Sequence, residues 1–127
     1  MPKHAIRTDR APAPVGPYSQ AIRSGNTVYV SGQIPLDPAT GKLVEGDVQA
    51  QTERVLGNLK AIVEAAGLSM GNIVRTTIFI MDMADFPAIN QVYQQAFSEP
   101  FPARATVQVA RLPAGASVEI DAIAVAD

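Results

Sequence analysis

The chain of 127 residues carries 10 Lys and Arg against 12 Asp and Glu, a formal charge of -2, with 47% apolar and 17% charged residues. That is the length of one domain, 1–127, with ample apolar content for a core and too little charge for a disordered chain. The balance leaves no basic footprint for nucleic acid or an anionic membrane, and zero cysteines exclude disulfides, thiolate metal sites and a cysteine nucleophile. The only histidine, His4, stands beside the N-terminus, which excludes a Ser-His-Asp triad or a two-histidine metal site within one chain. The start, Met1-Pro2-Lys3-His4, lacks the basic flank and apolar stretch of a secretory signal, and no later segment approaches a membrane span. A cytoplasmic location is the expectation.

In chain order, Pro2, Pro12, Pro14 and Pro17 predict an extended surface arm that ends at Gly16-Pro17-Tyr18. Gln20 to Arg23 and Thr27 to Ser31, separated by Ser24-Gly25-Asn26, read as two antiparallel strands. Pro35, Asp37-Pro38 and Gly41 mark an irregular loop to about Gly46. Asp47 caps a helix whose stripe is Val48, Val55, Leu59, Ile62 and Ala66, and Gly67 stops it. Gly57 inside that helix points to close packing against another backbone. The β-branched run Ile73 to Met81 reads as a strand. Asp82 or Asp85 caps a second helix with the face Phe86, Ile89, Val92, Tyr93, Ala96 and Phe97, ended by Pro100 and Pro102. Met70, Met81 and Met83 read as core filler. Ala103 to Arg111 and Ser117 to Val125 are the last strands, flanking the turn Leu112 to Ala116.

The order ββαβαββ makes an α+β layer, a mixed sheet with both helices on one face if the crossovers are right-handed. The sheet's other face also wants cover, because Ile78 to Met81 and Ala122 to Ala126 are continuously apolar. Helices of about 20 and 13 residues shield one face only. An oligomer with its sheets turned inward is therefore expected, of a number that periodicity does not fix.

Alternation places Arg104, Thr106 and Gln108 on one face of the penultimate strand. With Val107 and Val109 in the helix-side core beside Val118 and Ile120, Arg104, Thr106 and Glu119 would all face outward. A hairpin register pairing Thr106 with Glu119 would leave Arg104 one pleat away, roughly 7 Å. Two readings follow. One is an interfacial salt bridge that sets subunit register. The other makes Arg104 a planar fork for a substrate carboxylate and leaves Glu119 to orient a water. Gly32, in Ser31-Gly32-Gln33 at a strand end, permits close backbone approach to a ligand, and the Tyr18 phenol could stand at a pocket mouth. Asn90 reads by default as a solvated helix residue. Asp82 and Asp85 suit helix capping rather than a metal site, and no motif calls for a metal or phosphate loop.

Four blocks, Gly16-Pro17-Tyr18-Ser19-Gln20-Ala21, Ser31-Gly32-Gln33-Ile34-Pro35, Pro102-Ala103-Arg104, and Val109-Ala110-Arg111-Leu112-Pro113 through Val118-Glu119-Ile120, resemble the RidA (YjgF-type) family nearly end to end. The resemblance implies a chorismate-mutase-like fold, a homotrimer whose sheets form a central barrel, and clefts between subunits. It further implies a 2-iminobutanoate/2-iminopropanoate deaminase that hydrolyses imines and enamines released by pyridoxal-phosphate enzymes, itself without a cofactor. Arg104 matches the family's carboxylate-binding arginine and Glu119 the glutamate that positions water. Tyr18 joins these two at the catalytic positions, and Ser31, Gly32, Asn90 and Thr106 fall on substrate-binding ones. Thr106 stands where the family often has cysteine, and the loop before Pro102 is short. The competing readings are a small-carboxylate binding or sensing protein without turnover, an RNA-cleaving translation inhibitor, and a chaperone.

Overall fold

A computed structural model describes residues 2–127. Alternating burial builds one six-stranded sheet from β1 (His4–Ile6), β2 (Ala21–Ser24), β3 (Thr27–Gln33), β4 (Ile73–Ile80), β5 (Ala103–Gln108) and β6 (Val118–Val125), in the order β1-β2-β3-β6-β4-β5. Helices α1 (Val48–Ala65) and α2 (Phe86–Ala96) lie on one face. Among the described residues no helix is long and apolar enough to cross a membrane.

The core sits between helices and sheet. Val55, Leu59 and Ile62 of α1 and Ile89 of α2 meet Val28, Ile78, Ile80, Val118 and Ile120, all 2% exposed or less. Each such side chain contributes roughly 1.5–3 kcal/mol of burial. The expected capping of α1 is present: the Asp47 carboxylate accepts the Ala50 N–H at 2.9 Å, and Gly67 follows the helix with φ 80°. Before α2, Asp82 caps a single 3-10 turn by accepting the Ala84 N–H at 2.9 Å, while the Asp85 side chain makes no capping bond.

Buried amides tie the loops to this frame. Gln20 donates to the carbonyls of Thr8, Ala11 and Pro12 and accepts the Thr8 N–H at 2.8 Å, so the proline arm is fastened down, and its first residues add β1 to the sheet edge. Fully buried Asn58 donates to Leu36 O at 3.1 Å and Ile34 O at 3.3 Å, holding the loop after β3. Buried polar groups that find partners in this way avoid the desolvation cost of isolated ones.

Three expectations need correction. Gly57 meets the guanidinium of its own helix neighbour Arg54, not another backbone. Met70 packs on the core, but Met81 and Met83 are exposed. The largest correction concerns the last two strands, which form no hairpin. β5 pairs in parallel with β4, as a β4-α2-β5 crossover requires, and β6 inserts between β3 and β4, antiparallel to both. The crossover through α1 leaves a one-strand gap between parallel β3 and β4, and only a strand of β6's direction fills it with antiparallel pairs. β5 is thereby left at the sheet edge.

Strand register then fixes every face. Thr76, Ile78 and Ile80 point into the helix-side core and pair with Arg104, Thr106 and Gln108 on one flank and with Ala122, Ile120 and Val118 on the other. Cross-strand partners share a face. Arg104 and Thr106 therefore lie on the helix side, whereas Glu119, paired with Phe79, lies on the outer side, and Val107 is outward and 43% exposed rather than in the core. The outer face carries Tyr29, Phe79, Ala105, Val107, Ile123 and Val125 with no helix over it.

Candidate active site

Arg104 is the best-defined feature. Its side chain leans from edge strand β5 over α2, with the guanidinium carbon 4.9 Å from the Tyr93 ring centroid and 5.5 Å from that of Phe86. It makes no hydrogen bond or ion pair with any described residue, and the one ion pair among them joins Arg10 to Glu64, far from it in the sequence. The pocket beside it, of about 330 Å³, is lined by Asn90, Tyr93, Gln94, Phe101, Pro102 and Arg104. A half-buried cation with free donors over an apolar floor is suited to a carboxylate. One pleat along the same face, the Thr106 hydroxyl oxygen is buried and is the only such side-chain atom without a hydrogen-bond partner among the described residues.

The second cluster is on the opposite face. Glu119 stands next to β3, where Ser31 and Gly32 form a bulge between the Val30–Ala122 and Gln33–Ile120 pairs. Gly32 touches the Glu119 carboxylate so closely that an added Cβ would collide with it. Burial, and secondarily the Asp121 charge two residues on, pushes the Glu119 carboxyl above the usual carboxylate range. Ser31 spends its hydroxyl on Ser19 O at 2.6 Å, and the exposed Tyr18 hydroxyl accepts the Val15 N–H at 3.3 Å.

The candidates thus divide. Arg104, Asn90 and Thr106 gather at the β5 edge, with Arg104 and Asn90 lining one pocket; Gly32 and Glu119 touch on the outer face, with Ser31 beside them. Tyr18 lines neither cluster's contacts. Arg104 and Glu119 are separated by β4, roughly 10 Å of sheet, and point to opposite faces, so the shared outer pocket expected from a β5–β6 hairpin does not exist within one chain. Sequence reading missed Phe86 and Tyr93 as neighbours of Arg104. Their spacing at i and i+7 on the α2 stripe was visible, but it signalled only a core face.

A mixed sheet with two helices on one face and an unpaired arginine at its edge defines a small α+β domain equipped to receive an anion. Comparison with known proteins gives its family. Residues 8–126 match the family model described as endoribonuclease L-PSP. A protein of Salmonella typhimurium (strain LT2) named 2-iminobutanoate/2-iminopropanoate deaminase is 53% identical over 123 residues, spanning 94% of this chain and 95% of its own. The crystal structure of RidA from the Antarctic bacterium Psychrobacter sp. PAMC 21119 superposes with a TM-score of 0.93 at 52% identity, over 96% of this chain and 98% of that one. That of E. coli TdcF with bound serine gives 0.93 at 50% identity, over 98% and 99%. The chain belongs to the endoribonuclease L-PSP family, the RidA (YjgF-type) proteins.

Proposed function

We propose that this protein is an enamine/imine deaminase, hydrolysing the imines of short 2-oxo acids to the 2-oxo acid and ammonia. The observation that carries the reading is Arg104, a guanidinium oriented over two rings with its donors uncommitted and a pocket beside it. A relative about half identical that bears the deaminase name, and another crystallised with serine, an amino acid carrying a carboxylate, support it.

The chemistry needs a carboxylate anchor and a positioned water. Arg104 holds the carboxylate bidentately, which fixes the adjacent C=N carbon. Asn90 and Thr106 offer polar contacts beside the fork. Ionised Glu119, with Gly32 giving backbone access, orients water toward that carbon, with Tyr18 at the pocket mouth and Ser31 at its wall. The new C–O bond forms as the C=N π pair moves to nitrogen; the Glu119 carboxylate takes one proton from the attacking water and returns it to that nitrogen, giving a neutral carbinolamine. A proton passes from oxygen to nitrogen, the C–N bond breaks, and ammonia leaves with its bonding pair as the carbonyl forms. Because such imines also hydrolyse in water unaided, the site need supply only a modest acceleration, within the reach of positioning and one acid–base group. No cofactor is called for.

Because Arg104 and Glu119 face apart in one chain, a substrate that meets both must lie between two copies. The β5 edge has a free side, and the outer face has half-exposed apolar residues without cover, so a copy's edge beside its neighbour's outer face joins the two half-sites. A homotrimer with the outer faces turned to a central barrel meets that requirement. The RNA-cleavage reading finds less support: the one histidine, His4, is on β1, the edge of the sheet opposite β5.

The direct test is a coupled assay in which a pyridoxal-phosphate dehydratase generates 2-iminobutanoate and semicarbazide traps what survives. Faster loss of trappable imine on adding the protein is expected. Trapping that does not change with protein concentration would contradict the deaminase reading and favour a carboxylate binder.

A further inference from the structure

The Arg104 side chain has to be held still without being neutralised. An acidic neighbour would orient it but would also occupy its donors and cancel its charge. The structure uses aromatic faces instead. Phe86 and Tyr93 lie seven residues apart on α2, two helical turns along one face, and their rings stand 5.5 and 4.9 Å from the guanidinium carbon. The Tyr93 ring is itself fixed on two sides. Phe97 packs against it, tilted by 38° with centroids 4.5 Å apart, and the Tyr93 hydroxyl shares a buried 2.7 Å hydrogen bond with the Thr76 hydroxyl. Thr76 is the cross-strand partner of Arg104 in the β4–β5 register, so strand pairing itself brings this anchor alongside the cation.

We propose that Phe86, Tyr93 and Thr76 are positioning residues for Arg104: two rings orient the guanidinium, and the Thr76 hydroxyl locks the Tyr93 ring, leaving the donors free for a ligand carboxylate. This rests on the carboxylate-fork reading above and adds the residues that make the fork competent. Water activation belongs to Glu119 on another strand and the other face, so the clamp acts through the placement of the substrate carboxylate rather than through acid–base chemistry.

The probe is 2-oxobutanoate, the expected product, titrated by calorimetry into the intact oligomer. Tyr93→Leu keeps apolar volume and removes the ring, and we expect about 5- to 30-fold weaker binding. Thr76→Val keeps shape but leaves the Tyr93 hydroxyl unpartnered, and should weaken binding about 3-fold or more, with Thr76→Ser restoring the parent value. In turnover kcat/KM should fall by a similar factor, with the acid limb set by Glu119 unmoved. If Tyr93→Leu does not fold, Tyr93→Phe and Thr76→Val decide, and their effects should be non-additive because both cut one hydrogen bond. Folded Thr76→Val and Tyr93→Phe variants that bind 2-oxobutanoate as the parent does would overturn the clamp while Arg104→Ala still abolished binding. Equal binding by the parent and Arg104→Ala would overturn the fork and the clamp together.

Discussion

Replacing Arg104 by Ala should lower kcat/KM for 2-iminobutanoate by on the order of 100- to 1,000-fold while the protein still folds and assembles. The Arg104 side chain contributes no hydrogen bond or ion pair to the fold and lies on an edge strand rather than in the core, so its removal leaves no buried group unpaired and the backbone pairing with β4 intact. What is lost is the anchor. A substrate without a bidentate partner is free to rotate, and the C=N carbon no longer stays within reach of the water. Arg104→Lys should recover only part of the activity, since an ammonium is a point charge that does not match two carboxylate oxygens at once. The measurement is semicarbazide competition on freshly generated imine, with circular dichroism and sedimentation as controls. Parent-like turnover by folded Arg104→Ala would remove the arginine from the mechanism.

Glu119→Gln should act on the other half of the reaction, with 2-oxobutanoate binding near the parent value and kcat reduced about 100-fold or more, at the low end of general acid–base contributions. The substitution keeps the shape against Gly32, where there is no room for a side chain. A carboxylate binder would show no turnover in either form. The pH dependence follows from the same residue. Burial, aided by Asp121, raises the Glu119 carboxyl above its ordinary range, so the folded protein holds this proton more tightly than the unfolded chain. Its contribution to stability is therefore fully present below the unfolded carboxyl value and is lost as pH rises through the raised folded value. Activity should run the opposite way. In the proposed mechanism the ionised form orients water, so kcat should climb through that raised value, giving an acid limb above the usual glutamate range. Glu119→Gln should flatten both trends; an acid limb preserved in the variant would assign the titration to another group.

Much of the fold was legible from local pattern. The Asp47 cap, the α1 stripe ending at Gly67 and the β-branched run from Ile73 each report a local preference, and each element forms near its expected bounds. Strand order was not legible, because Ala103–Gln108 and Val118–Val125 flank a short turn and read equally well as a hairpin or as strands parted by a neighbour. The decision belongs to the two crossovers, which set β5 beside β4 and leave a slot for β6. That single non-local choice moved Arg104 to the other face. The candidate side chains were identifiable by chemistry and by resemblance, yet their grouping into two half-sites was not, and the aromatic support of Arg104 came only from α2 lying against the β5 edge. Continuous apolar stretches in β4 and β6 did foreshadow the uncovered outer face.

In the proposed assembly, one copy's Arg104 and another copy's Glu119 serve the same substrate. Inactive Arg104→Ala and Glu119→Gln proteins, unfolded together and refolded as a mixture, provide the test. If sites form between copies, random assortment gives about a quarter of them both intact groups, and imine hydrolysis should reappear in the mixture at a comparable share of parent activity. A mixture whose subunits have demonstrably exchanged, yet which stays as inactive as its two components, would contradict the shared site.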